Sequence, residues 1–102
     1  MTDRVPAEVF PPGEFLRDEL EARNWTQTEF AEIIERPTRL VNEVIAGKRG
    51  VTPETASEFA AALGTSAQFW MNLESSYQLS KISPALERIS RTANLRERFP
   101  RS

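Results

Sequence analysis

Apolar positions recur three and four residues apart through most of this chain, the interval that lines one face of a helix. Phe15, Leu16 and Leu20 make the first such stripe. It follows Pro12, a residue suited to a first helical turn, and runs to about Arg23. Thr26 and Glu29 form a capping box, so a second helix opens there with Phe30, Ala31 and Ile34 on its inner face. Pro37 permits a third start, and Val41, Val44 and Ile45 give that helix one apolar face before Gly47 stops it. Thr52 and Pro53 open a fourth helix, which buries Ala56, Phe59, Ala60 and Leu63 and ends at Gly64. Thr65 or Ser66 caps a fifth, carrying Phe69, Trp70, Leu73 and Tyr77. Ser83-Pro84 is a candidate start for a sixth, with Leu86, Ile89 and Ala93 as a weaker stripe. No stretch alternates convincingly as a strand, so the expected class is all-α. The Pro-rich residues 1–11 read as an arm, 12–79 as the helical domain, and 80–102 as a tail.

With 102 residues, 39% of them hydrophobic and 27% charged, the chain is sized for one globular domain. Cysteine and histidine are both absent. That excludes disulfides, zinc sites built on those ligands, and Ser-His-Asp or Cys-His catalytic groups. An enzyme built on carboxylates, Lys or Tyr survives as a minor alternative. The chain is otherwise read as a non-enzyme without metal or cofactor. No apolar run reaches the length of about 18 residues that a membrane span needs. The opening MTDRVPAEVF has no apolar signal core, so a cytoplasmic location is expected.

Net charge is −2, but it is unevenly spread. Residues 1–35 carry a net −6, residues 36–49 a net +3, residues 50–80 a net −3, and residues 81–102 a net +4. An acidic protein with one short basic island is no general polyanion binder. It can still hold a local phosphate-contacting edge, because salt screens charges more than about 8 Å away.

The short helix pair at residues 26–46 carries the functional signal. Two short helices with a break at Glu35-Arg36-Pro37 describe a helix-turn-helix. On a wheel, Leu40, Val41, Val44 and Ile45 fall within about 140° of arc. Thr38, Arg39, Asn42, Glu43 and Ala46 fall on the other side. That side suits a recognition helix: Arg forks onto guanine, Asn pairs bidentately with adenine, and Thr takes a base edge or a phosphate. Thr38, Arg39 and Asn42 are therefore the base-reading candidates. Gln27 and Thr28, at the start of the second helix, and Lys48 and Arg49, after the third, are the phosphate-contacting candidates. The plainer alternative is a solvated face on which Arg39 and Glu43 form an i,i+4 ion pair.

TQTEFAEII (26–34), a short turn and PTRLVNEVIAGKRGVTPETA (37–56) resemble the helix-turn-helix of the lambda-repressor-like superfamily. PPGEFLRDEL (11–20), AGKRGVTPE (46–54) and ALGTSAQFWMNLESSYQL (62–79) further resemble the HigA-type antitoxins of bacterial toxin–antitoxin modules. The resemblance implies a five-helix DNA-binding domain, a homodimer, repression of its own operon through double-stranded operator DNA, and a partner toxin. That toxin is typically a small, basic, RelE-like ribonuclease that cleaves mRNA. By position, Gln27 matches the family's phosphate-contacting Gln, Thr38, Arg39 and Asn42 its base-facing positions, and Lys48 and Arg49 its basic pair. Two residues depart from the pattern: Glu35 stands where glycine is frequent, and Arg36 where the family is apolar. A non-glycine residue with positive φ costs about 1 kcal/mol or more. Either the turn stays in ordinary backbone space, or the two helices cross differently.

The aromatic residues Trp25, Phe30, Phe59, Phe69 and Trp70 read first as core. Trp70, Leu73 and Tyr77 are also candidates for a dimer seam between fifth helices. Two-fold symmetry would then set two recognition helices about 34–36 Å apart, facing successive major grooves. The acidic first helix presents Glu14, Asp18 and Glu21 on one side, a candidate docking face for a basic toxin and otherwise a solvated surface. Two rival functions remain open: a stand-alone regulator without a toxin, and a protein-interaction module that has lost DNA binding.

Overall fold

Residues 9–98 are described in the computed structural model. The first part of the expected arm and the end of the tail lie outside them. Five helices follow one another: α1 (Pro12–Arg23), α2 (Gln27–Ile34), α3 (Thr38–Ile45), α4 (Pro53–Leu63) and α5 (Ala67–Arg98). No strand occurs among the described residues.

The helix ends follow from local chemistry. Thr26 Oγ1 accepts the Glu29 N–H at 3.0 Å, and the Glu29 carboxylate accepts the Thr26 N–H at 2.8 Å. Thr52 and Thr55 make the same reciprocal cap on α4, which also starts on Pro53. Ser66, the second of the two candidate caps, accepts the Phe69 N–H at the start of α5. α1, α2 and α3 end alike, on a left-handed residue whose successor bonds back across the last turn. Those residues are Asn24 (φ 58°), Glu35 (φ 60°) and Gly47 (φ 79°). The closing bonds run from Trp25 N–H to the Leu20 carbonyl, from Arg36 N–H to Ala31, and from Lys48 N–H to Glu43.

Leu16, Phe30, Val41, Val44, Phe59 and Trp70 are fully enclosed at the centre. An aromatic chain links the layers: Phe30 meets Phe59 at 5.5 Å, Phe59 meets Trp70 edge-on at 5.3 Å, and Phe15 meets Trp70 edge-on at 5.6 Å. The Trp70 indole N–H donates to Thr65 Oγ1 at 2.7 Å, which satisfies its one polar atom inside the core. Gly13 lets α1 approach α3 closely, since a Cβ there would collide with the Val44 carbonyl and lie 2.8 Å from Ile45 Cα.

Two expectations are corrected. Trp70 cannot belong to a dimer seam, because it has no exposed surface within one copy. The expected sixth helix is the second half of α5, which runs unbroken through Pro84. Pro84 deletes one helical N–H, and it lies on an exposed stretch where water can take the carbonyl left over. Nor do Ile82, Leu86 and Ile89 pack back on the domain: they stay 47%, 48% and 63% exposed.

Candidate nucleic-acid interface

α3 is amphipathic in the way the sequence implies. Leu40, Val41 and Val44 are buried, while Arg39 and Asn42 are exposed and Thr38 is half-buried in the first turn. Spacing of three and four residues sets Thr38, Arg39 and Asn42 side by side on the outer surface. Asn42 and Arg39 thus stand as neighbours with no bulky apolar side chain between them.

Arg39 is not free on that surface. Its Nε donates to Glu43 Oε2 at 2.9 Å. The other oxygen, Oε1, accepts from Arg49 Nε at 2.9 Å and from Nη2 at 2.6 Å. One carboxylate on the third helix therefore holds an arginine of the helix and an arginine of the following loop. These hydrogen bonds, from Arg39 first and Arg49 second, hold the Glu43 carboxyl below the usual carboxylate range. The ion pair anticipated for Arg39 and Glu43 is present, and Arg49 is added to it. Arg39 itself stays 85% exposed, so exchanging Glu43 for a base edge exposes no buried charge.

The loop carrying Lys48 and Arg49 is anchored from α5. Glu74 Oε1 accepts the Val51 N–H at 2.9 Å, and a Cβ on Gly50 would come within 2.8 Å of the other Glu74 oxygen. Glu74 was not legible as a functional residue, since its partner lies 23 positions away. The only hint was an acidic residue on the otherwise apolar start of the fifth helix.

Gln27 and Thr28 occupy the first turn of α2, half-buried and exposed respectively. The capping box consumes the N–H groups of Thr26 and Glu29. Those of Gln27 and Thr28 have no partner within the helix and face where an anion would sit. The turn to α3 resolves the alternative posed by Glu35. It adopts the left-handed conformation that glycine usually takes, so the turn does not stay in ordinary backbone space. Arg36 is half-buried, with its guanidinium against Glu58 and Glu54 of α4.

The other sequence candidates lie elsewhere. Glu14 is half-buried and Asp18 and Glu21 exposed along α1. Leu73 and Tyr77 are half-buried on α5, and the Lys81 ammonium sits 4.3 Å from the Tyr77 ring centre. None of the hydrogen bonds or ion pairs described above joins them to the α3 surface.

A family model described as "Helix-turn-helix" matches residues 16–70, more than half the chain. The chain belongs to the helix-turn-helix family. Among solved structures, the Pseudomonas aeruginosa antitoxin HigA with the higBA promoter is 32% identical, with a TM-score of 0.76 over 80% of this chain and 91% of that one. An addiction module antidote protein of the HigA family from Coxiella burnetii is 30% identical, with a TM-score of 0.72 over 79% of this chain and 94% of that one. The Escherichia coli HTH-type transcriptional regulator YddM is 29% identical over 84 residues, spanning 82% of this chain and 88% of its own length. The helix-turn-helix match covers α2, α3 and α4 whole, so the candidate surface lies inside the family's shared part. Among the described residues, no helix is long and apolar enough to cross a membrane.

Proposed function

We propose that this helix-turn-helix protein is a sequence-reading repressor that also serves as the antitoxin of a toxin–antitoxin module. α3 enters the major groove of operator DNA. Arg39 and Asn42 read base edges, with Thr38 at the rim of the contact. Gln27 and Thr28 hold one phosphate at the start of α2, and Lys48 and Arg49 hold the backbone beyond α3. Two copies bind two half-sites in the cytoplasm and repress the operon that encodes them. The acidic side of α1, with Glu14, Asp18 and Glu21, receives a small basic RelE-like toxin.

The observation that carries this reading is the exposed pair of Arg39 and Asn42, with half-buried Thr38 beside them, next to an arginine-bearing loop. The likeness to a HigA antitoxin solved with the higBA promoter supports it from outside. The likeness to YddM, an HTH-type transcriptional regulator, keeps a second reading in play, a stand-alone regulator.

The test is binding of the purified protein to duplex from upstream of its own gene, at about 150 mM salt, with random duplex as competitor. Alanine at Arg39 or Asn42 weakens specific binding by about 1–3 kcal/mol and leaves random-duplex binding nearly unchanged. Equal losses on both duplexes sink base reading by that residue. Co-purification of a short basic protein encoded beside this gene separates the antitoxin from the stand-alone regulator.

A further inference from the structure

Two carboxylates from two helices hold the loop between α3 and α4, and they hold different parts of it. Glu43 of α3 grips a side chain: its Oε1 accepts from the Arg49 guanidinium. Glu74 of α5 grips the backbone: its Oε1 accepts the Val51 N–H at 2.9 Å. The other Glu74 oxygen accepts from the Gln78 amide at 2.7 Å, one turn along α5, which fixes the carboxylate itself. Gly50 leaves room for this approach, since a Cβ there would stand 2.8 Å from Glu74 Oε2 and 3.3 Å from the carboxyl carbon.

Beside that bond the loop and α5 part, leaving a polar cleft of about 150 Å³ whose lining includes Lys48, Arg49, Gln78 and Lys81. On one side of the bond the Val51 side chain is buried in the core. On the other side the exposed residues Lys48 and Arg49 follow α3, with the Lys48 N–H closing onto the Glu43 carbonyl at 2.8 Å. The Glu74 bond therefore sits between the loop's plug in the core and its two cations. It sets the path along which the chain carries them. Phosphate contact depends on such placement, because an N–H donor must come within about 3 Å of the oxygen.

We infer that Glu74 is a positioning residue for DNA binding: its hydrogen bond to the Val51 N–H holds the loop where Lys48 and Arg49 reach the phosphates. The inference rests on the phosphate-contacting role proposed above for those two residues. It assigns opposite effects to the two carboxylates. An anion close to a duplex repels it, so removing a bystander carboxylate raises affinity. Glu43 also occupies the arginines that DNA would take, and it must let them go on binding. The Glu74 bond is to the backbone and stays made when the side chains of Lys48 and Arg49 turn to phosphates. Removing this negative charge therefore frees the loop and weakens binding.

The test is a titration of the full chain on random duplex and on duplex from upstream of its own gene, each across about 50–200 mM salt. Glu74→Ala should bind both about tenfold more weakly at the middle of that range, with a salt slope shallower by about 1. Glu74→Gln should stay within about twofold of wild type, because its amide oxygen still accepts the Val51 N–H. Gly50→Ala, which displaces the carboxylate without deleting it, should match Glu74→Ala, and should cost nothing further when added to it. Hydrogen exchange of the Val51 amide reads the bond without DNA: about tenfold faster in Glu74→Ala, and restored in Glu74→Gln. Tryptophan emission from the enclosed Trp70 verifies each fold, and Gly50→Ala carries the test if Glu74→Ala unfolds. A Glu74→Ala protein that binds as well as wild type or better, or a Glu74→Gln protein no better than Glu74→Ala, overturns the inference. The double variant Lys48→Ala with Arg49→Ala separates the two failures. If it leaves the salt slope unchanged, the phosphate reading falls and the inference with it. If it flattens the slope while Glu74→Ala does not, the inference alone falls.

Discussion

The Arg36 guanidinium is forked onto the Glu58 carboxylate across the turn of the helix-turn-helix. Its Nε donates to Oε1 at 2.9 Å and to Oε2 at 3.0 Å, and Nη2 donates to Oε2 at 2.6 Å. Glu54 adds a second carboxylate 3.1 Å from Nη2. These carboxylates hold the guanidinium even more firmly protonated than usual, the hydrogen bonds to Glu58 contributing most. Arg36 thus ties the turn to α4 through charge.

Breaking that fork should loosen the domain. Arg36→Ala is expected to lower the melting midpoint by a few degrees, and Arg36→Lys to recover little, since an ammonium cannot make the planar two-point contact. A thermal double-mutant cycle with Glu58→Ala checks it. The double variant should be scarcely worse than Arg36→Ala alone. Fully additive losses would show that the two side chains do not support each other.

Glu35 holds a left-handed backbone without being glycine. Its side chain is exposed, so no packing is lost by removing it. Glu35→Gly should therefore stabilise the fold by about 1 kcal/mol. Chemical denaturation measures this directly, and a loss of stability would mean that the turn is unstrained.

Glu43 stands between Arg39 and Arg49, the two arginines proposed to meet DNA. Glu43→Gln removes a negative charge beside the phosphates, so affinity for random duplex should rise several-fold. Affinity for the operator should rise less, because Arg39 and Arg49 lose their common anchor. Titration on both duplexes gives the ratio, and an equal gain on each would show that Glu43 orients nothing. Acid should reproduce the loss of the anchor. A carboxylate whose folded pKa is lowered contributes fully above its unfolded value, about 4.3, and loses that contribution as pH falls through the folded value. The melting difference between wild type and Glu43→Gln should thus be constant from neutral to about pH 5 and close at lower pH. A difference that persists in strong acid would place its cause outside this ion pair.

Trp70 joins α5 to three other helices through its aromatic neighbours. Trp70→Ala should cost about 3–5 kcal/mol, a large share of a domain's total of roughly 5–15 kcal/mol. Thr65→Val keeps the shape but leaves the indole N–H unpaired inside the core, at about 1–3 kcal/mol. Denaturant midpoints for the two variants should fall in that order. A Thr65→Val protein as stable as the wild type would mean that the indole N–H finds another partner.

Local chemistry made most of this protein legible in its sequence. Caps act within three or four residues, and an apolar stripe is a property of one helix. Thr26 with Glu29, Thr52 before Pro53, and Gly47 and Gly64 after their helices therefore placed the first four helices within a residue or so of where they lie. The outer row of α3 followed from the same periodicity. What the sequence left open depends on contacts between distant residues. Arg36 finds Glu58 across 22 positions and Val51 finds Glu74 across 23, and only packing brings either pair together. The aromatic face of α5 could point into one copy or toward another, and the closure of α1, α2 and α4 around Trp70 turned it inward. Glu35 could be strained or relaxed until the closing bond from Arg36 to Ala31 held it left-handed. Pro84 signalled a helix start, yet the chain on both sides stays helical and water can take the one carbonyl that the proline leaves without a donor.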